Sequence, residues 1–437
     1  MKKILVVTVG GSCQPIVTSV KTHQPDIVYF ICSDDTDTVK GSYRMVDGEG
    51  KVCGANQDRP DLPNILTQAR RTLTEHDQII KIREFDDLNS CFQRSFEILS
   101  SLRSKYPDAQ IIADYSGGTK TMSVGLGAAA IDVPGITIGL VSGQRTNLVR
   151  VSDGTQSVRF ARANSALIQR MQNMVDQFLQ RFDYSSAAKV VEEIQQRSSD
   201  VREQELNQRR LTALRAFDAW DRFDHNEALR LLTDVRKWYV PYVQFLEKIV
   251  AARRDIEETR KAMSESGPVR GTELLEDLLL NIERRVRQER YDDAVARIYR
   301  AFELTAQLVL LFRYGQDTGN VELHRLPEAL RNKYQSFWNK NGTIKISLVQ
   351  SFELLADLED DVGRLYQEQK SEVLDKLHVR NDSILAHGYT PIDRERFNSM
   401  NQVIGRFVKE VVKNLNGVGS VQRQFPNSLQ QLDGQNI

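Results

Sequence analysis

The chain has 437 residues, and its 59 basic and 59 acidic side chains leave no formal net charge. That length allows about two to four domains with separate cores, while the even balance excludes a nucleic-acid binder that works by global attraction, so any RNA contact has to come from local clusters. No apolar run approaches the roughly 18 to 20 residues of a membrane span, and Met1-Lys2-Lys3-Ile4 runs into a strand-like stretch without a cleavage-site pattern; a cytoplasmic protein is expected.

From residue 3 to about 160, short apolar runs alternate with helical patterns. Ile4–Val9 and Ile27–Cys32 read as buried strands, followed by Ile79–Ile82, Ile111–Ala113 and Ile136–Val141. Helical segments fall around Leu62–Leu73, Leu88–Lys105 and Thr119–Ile131. This alternation predicts an α/β domain over residues 1–162, Rossmann-like, with a parallel sheet between helices. Asn147–Val151 and Ser157–Ala161, joined by Asp153-Gly154, are expected to close it as a hairpin. The four cysteines, Cys13, Cys32, Cys53 and Cys91, show no CxxC spacing, so neither zinc nor a disulfide frame is predicted and they read as structural thiols.

Two glycine-bearing turns follow predicted strands. Val9-Gly10-Gly11-Ser12 precedes Gln14 and Pro15; Asp114-Tyr115-Ser116-Gly117-Gly118-Thr119-Lys120-Thr121 leads into a small-residue helix. In doubly wound sheets ligands bind beyond the carboxyl ends of the strands. Glycine lets backbone amides approach a phosphate, and a helix N-terminus adds partial positive charge. Lys120 in a first turn opposes the helix dipole, a cost that an anionic ligand reverses. Neither turn matches the dinucleotide or P-loop pattern, and each is equally well a tight strand-to-helix connection.

After about residue 160 the pattern is helical. A connector is predicted over 163–270, with a weak repeat at Arg181-Phe182-Asp183 with Ala187, Arg222-Phe223-Asp224 with Ala228, and Arg290-Tyr291-Asp292, which suggests stacked helical pairs. The arginine clusters at 209–210, 253–254 and 284–290 are interleaved with Glu and read as solvated faces. Ser264-Glu265-Ser266-Gly267-Pro268 marks a break. A helical bundle is expected over 271–416, with one or two helices in Leu274–Phe312, another in Leu348–Leu377 and a last segment Val379–His387. The tail 417–437, rich in Gln, Asn and Gly, is expected to be disordered.

Within that last segment, Arg380-Asn381 and Ala386-His387-Gly388 place a guanidinium and an imidazole seven residues apart. On a helix, seven steps of about 100° return to nearly the same face, after about 10 Å of rise. Arginine grips phosphate oxygens and histidine exchanges protons near neutrality. RNA carries its own nucleophile, so such a pair suffices for cleavage without a metal. His387-Gly388 is also what an ordinary helix C-terminus looks like. His324 and His378 read as packing or surface residues.

Arg380-Asn381 with Ala386-His387-Gly388 resembles the Arg-Asn...His signature of HEPN ribonucleases, with six residues between arginine and histidine. Asp114 to Met122 resembles the Asp-x-Thr-Gly-Gly-Thr-Lys-x-Met turn of CARF domains, the CRISPR-associated Rossmann folds, with Ser116 in place of threonine. A CARF domain followed by a HEPN bundle implies an ancillary ribonuclease of type III CRISPR immunity, activated by cyclic oligoadenylate and needing no metal or other cofactor. The resemblance makes Arg380 and His387 catalytic with Asn381 orienting them, and makes Gly10, Gly11, Ser12, Gln14, Ser116, Gly117, Gly118, Thr119 and Lys120 the ligand-binding set. One Arg and one His give too few donors for a pentavalent phosphate, so a homodimer acting on single-stranded RNA is expected. Two other readings stay open: a ligand-gated regulator that binds RNA or a partner without cutting, and a first domain that cleaves its own activator through Ser12, Gln14 or Thr119.

Overall fold

β-Branched and aliphatic runs form the predicted parallel strands, β1 (Lys3–Val9), β2 (Ile27–Ser33), β3 (Gln78–Ile82), β4 (Gln110–Asp114) and β5 (Ile136–Ser142), most fully buried in β1, β2 and β4. The computed structural model describes residues 1–53, 62–142, 157–161, 164–198, 200–262, 267–338, 344–381, 383–384, 388–416 and 423–434. The chain divides into two compact units, Met1–Arg170 and Met171–Ile437.

In the first unit the sheet order is β3-β2-β1-β4-β5-β6, with β6 (Ser157–Ala161) antiparallel to β5. The expected partner strand Asn147–Val151 lies outside the described residues; β6 pairs with β5 itself, Ile138 facing Ala161. Two helices, α1 (Gln14–His23) and α3 (Ile65–Ala69), cover one face over Leu5, Val7, Val28 and Phe30. Between them in sequence is the single turn α2 (Arg44–Asp47). Across the sheet, α4 (Leu88–Lys105) and α5 (Lys120–Asp132) cover Ile4, Val6, Ile111 and Ala113. The helix expected over Leu62–Leu73 is only five residues long, because Arg70 turns left-handed (φ 52°) and Arg71 leaves to bond Asp77 and the Pro25 carbonyl.

The cysteine expectation is half corrected. Cys32 and Cys91 are buried free thiols, but Cys13 and Cys53 form a disulfide with Cα atoms 5.8 Å apart. Forty residues separate them in sequence. The fold brings the start of α1 beside the segment after α2, a proximity that spacing does not reveal.

The second unit is built from helical hairpins. The unit boundary falls within α6 (Asn164–Gln180), and α7 (Tyr184–Arg197), α8 (Val201–Asp221), α9 (His225–Asp234) and α10 (Val240–Ala262) follow. Next come α11 (Thr272–Arg287), α12 (Tyr291–Tyr314), α13 (Glu328–Gln335), α14 (Leu348–Asp357) and α15 (Asp361–Asn381). The π-helical turn Asn401–Gly405 joins α16 (Arg394–Met400) to α17 (Arg406–Asn416).

Four hairpins close in the same way. Phe182, Phe223, Glu289 and Glu359 have φ of 55°, 63°, 58° and 56°. In each case the next residue donates its backbone N–H at 2.9 Å to the carbonyl five residues back: 183 to 178, 224 to 219, 290 to 285 and 360 to 355. Asp183, Asp224 and Asp360 then accept backbone N–H bonds from the following helix. Ala187, Ala228 and Ala294 are fully buried, where a larger side chain would hold the helices apart. The repeat is thus real, with a corrected third register: Glu289, not Tyr291, is the equivalent of Phe182 and Phe223. The same closure at Glu359 makes two helices of the one expected over Leu348–Leu377.

Two further expectations give way. Arg210, Arg284 and Arg285 are buried rather than solvated, because carboxylates from distant segments reach them: Asp433 for Arg210, Asp221 for Arg284 and Arg285. The tail is ordered over 423–434. Phe425 is buried among Tyr184, Phe217 and Trp220, and the short α18 (Leu429–Leu432) buries Leu432. Backbone carbonyls of Gln424, Pro426 and Leu432 accept the hydroxyls of Tyr242, Tyr184 and Tyr239. Burial pushes the Tyr242 hydroxyl up to about 12, which keeps it a donor at neutral pH. Low hydrophobicity had pointed to disorder, but one phenylalanine, one leucine and satisfied backbone groups are enough to dock the segment.

An exposed non-glycine residue in the left-handed region gives a direct test of the closures. Glu359→Gly is expected to stabilise the protein by about 0.5–1 kcal/mol, as relief of Cβ strain outweighs the added freedom of the unfolded chain. Urea denaturation should show a higher midpoint at unchanged slope.

Candidate functional site

In the first unit, β1 and β4 are neighbours at the centre of the sheet, Val7 facing Asp114, and β2 and β5 lie on opposite sides of that pair. The two glycine turns therefore leave the sheet where the connections diverge. They touch through backbone. A Cβ on Gly10 would lie 2.7 Å from the Gly118 nitrogen, and one on Gly117 would lie 2.3 Å from the Thr8 carbonyl oxygen. Gly118 has φ +83°. Thr8 donates from Oγ1 to the Gly117 carbonyl at 2.6 Å, and Ser123 donates to the same oxygen at 2.6 Å.

The predicted ligand-binding residues divide into two groups. Ser116 is held by the fold: its hydroxyl donates to Asp114 and accepts the Val141 N–H at 2.6 Å. Thr119 caps α5, accepting from the Met122 N–H at 3.1 Å and donating to the Phe85 carbonyl at 3.0 Å. Gln14 donates to Gln68 at 2.9 Å. Beside them, Gly11 has open space around it, and Ser12 and Lys120 are exposed. Lys120 begins α5 and makes no ion pair among the described residues. Cys13, at the start of α1, provides no side-chain cap for the first amides of that helix.

Sequence reasoning missed the residues that hold these turns. Asp114 is fully buried and accepts from Ser19 Oγ and from the Ser116 N–H at 2.9 Å, so it organises the second turn from inside. Thr8 is the polar interruption in an otherwise aliphatic strand, and that interruption was the available signal.

In the second unit, Arg380 and Asn381 are the last two residues of α15. They follow Leu377, which is buried, by three and four positions in the same helix. Their side chains and the whole of His387 lie outside the described residues. The expected helix from Val379 to His387 is corrected: α15 ends at Asn381, and Ser383 pairs with Thr390 in an isolated bridge. Gly388 donates to the Ser383 carbonyl and Ile384 to the Thr390 carbonyl, both at 3.1 Å, so these backbone groups are satisfied without helical bonds. The same-face argument for positions 380 and 387, which needs one unbroken helix, therefore fails. Ile392 N–H donates to the Asp292 carboxylate at 3.2 Å, tying the end of that loop to the first turn of α12. His324 and His378 are exposed.

Residues 264–410 match the family model described as the Csm6 HEPN domain. A solved structure, Csm6 of Enterococcus italicus bound to cyclic hexa-2'-fluoro-hexa-dAMP, matches with a TM-score of 0.60 at 13% identity, covering 99% of this chain and 98% of that one. A comparison with curated proteins finds no match. A Rossmann-type first unit is thus followed by a helical unit that matches a HEPN domain, and the fold of the whole chain is that of this Csm6. Both matches are to Csm6, the family model over residues 264–410 and the solved structure over the whole chain.

The close approach of the turns sets a test. Gly10→Ala should destabilise the first unit by about 1–3 kcal/mol, because the new methyl meets backbone that cannot turn aside. Thermal unfolding of the full chain should show an early transition absent from the parent.

Proposed function

We propose that this chain is a metal-independent endoribonuclease of single-stranded RNA, activated by cyclic oligoadenylate and working as a homodimer in the cytoplasm. The observation that carries the reading is that the matched Csm6 HEPN region, 264–410, contains Arg380, Asn381 and His387. Two copies would bring two guanidinium and two imidazole groups to one phosphodiester. Arg380 from each copy holds the scissile phosphate, and Asn381 orients the pair. The 2'-hydroxyl of the substrate attacks phosphorus as the P–O5' bond breaks. His387 carries the proton between those oxygens, and the products end in a 2',3'-cyclic phosphate and a free 5'-hydroxyl.

Support for a phosphate-bearing activator comes from the first unit, where the two glycine turns lie against each other at the switch point of the sheet and the exposed Lys120 begins the helix after the second. The Enterococcus italicus relative holds a cyclic hexameric adenylate analogue, and the ring is carried over here as the activator class. Among the described residues no helix is long and apolar enough to cross a membrane.

The test is cleavage of unstructured RNA in the presence of EDTA, with and without the ring. Cleavage should appear only with it, and no cutting under either condition would sink the nuclease reading. His387→Ala and Arg380→Ala should each lower the rate by about a hundred-fold or more while ring binding persists. Lys120→Ala should raise the ring concentration for half-activation by about ten- to a hundred-fold, the value of one charge-assisted hydrogen bond.

A further inference from the structure

Where α10, α11 and α12 meet, the helical unit holds a cavity of about 440 Å³, within the usual size of ligand pockets. A neighbouring cavity of about 210 Å³ shares its wall at Ile256, Arg260, Arg300 and Leu304. Leu274, Leu278 and Leu304 give the larger cavity an apolar floor, and Arg253, Arg260 and Arg300 stand around it. Two of these guanidinium groups are already matched, Arg260 to Asp317 at 2.8 Å and Arg300 to Glu303 at 2.7 Å. Arg253 meets no carboxylate among the described residues. Its nearest polar partner is Nδ1 of His225, 3.3 Å from Nη1.

That contact fixes the imidazole. Arginine can only donate, so Nδ1 is the acceptor and Nε2 carries the proton given to Asp277 at 3.0 Å. Asp277 is buried and also accepts the Trp220 indole N–H at 3.0 Å, which holds the carboxylate and the ring in place. The outer nitrogen of a buried, oriented histidine is thus aimed at a cavity wall and occupied by an exposed, movable side chain. Phe223 lines the same cavity, edge-to-face with His225 and held in the left-handed closure between α8 and α9. Nothing in the proposed cleavage or sensing uses these groups.

We propose that the cavity is a separate site for a nucleoside monophosphate. The phosphate takes Arg253; the freed Nδ1 of His225 accepts a ribose hydroxyl; the base lies on Leu278 against the Phe223 ring. The preference for a nucleoside phosphate over another anion rests on the ribonuclease reading, since cleavage by 2'-hydroxyl attack leaves ends of that chemistry. The seam joins connector helices to the bundle, so its occupant would couple product level to the catalytic unit.

Calorimetric titration of the full chain separates the outcomes without any cleavage assay. Uridine monophosphate and uridine 2',3'-cyclic monophosphate serve as probes, chosen because the first unit is expected to take adenylates. Both should bind, inorganic phosphate should bind at least ten-fold more weakly, and Arg253→Glu should weaken the uridine nucleotides at least ten-fold. Leu278→Trp, which fills the floor, should do the same, whereas Lys120→Glu should not. Circular dichroism confirms that each variant is folded. Absence of binding to the parent at millimolar nucleotide would overturn the proposal, as would affinity indifferent to both cavity variants. Phosphate binding as tightly as the nucleotides would also overturn it, by leaving only an anion site. Nucleotide binding by a chain that never cuts RNA would instead refute the nuclease reading and leave this site standing.

Discussion

The helical unit turns on one buried guanidinium. Arg284 has no exposed surface, and it bonds Asp221 at the end of α8 at 2.7 Å and Gln424 of the C-terminal segment at 2.8 Å. Asp277 lies 3.7 Å away, and the Phe425 ring packs 3.8 Å from the guanidinium carbon. A buried charge is tolerated only with its partners in place, and losing one partner costs about 3–5 kcal/mol. α8, α11 and the C-terminal segment each supply a partner, so none can leave without exposing a charge to a dry interior. The consequence is mechanical. Helices 201–262 cannot shift against 272–314 by sliding over an oily surface; any shift has to exchange ion pairs between discrete arrangements, which is the kind of two-position element that allosteric coupling requires.

The first unit is organised by backbone rather than by charge. Thr8, near the carboxyl end of β1, reaches across to the carbonyl of Gly117, and Gly10 lies against Gly118. With no side chain between them the two turns form a single surface, so a ligand that moves one moves the other. Asp114 fastens this surface to α1 through Ser19.

Much of this architecture was legible in the sequence. The five parallel strands announced themselves by runs of Ile and Val, and Thr119 marked the start of α5 because a hydroxyl before a small-residue run is a cap. Short-range chemistry also exposed the hairpin repeat, although Tyr291 misled the third register: its aromatic ring imitates Phe182 and Phe223, while the left-handed closure two residues earlier is carried by Glu289. What the sequence hid is long-range. Cys13 and Cys53 carry no mark of their pairing, and Arg284 looks like a surface arginine until Asp221 and Gln424 arrive from 63 and 140 residues away. Between Arg380 and His387 the helical periodicity was extended too far, past Asn381 into a chain that satisfies its backbone by the Ser383–Thr390 bridge.

The docked C-terminal segment has a consequence for how the molecule is made. Phe425 and Asp433 complete an aromatic cluster and an arginine pair whose other members are laid down more than two hundred residues earlier, at Tyr184, Arg210, Phe217 and Trp220. During vectorial synthesis those groups emerge first and wait with one wall missing until Phe425 and Asp433 follow. A nascent or prematurely terminated chain therefore lacks the lid on the seam between connector and bundle. Translation through Asp433 itself becomes the step that finishes the helical unit.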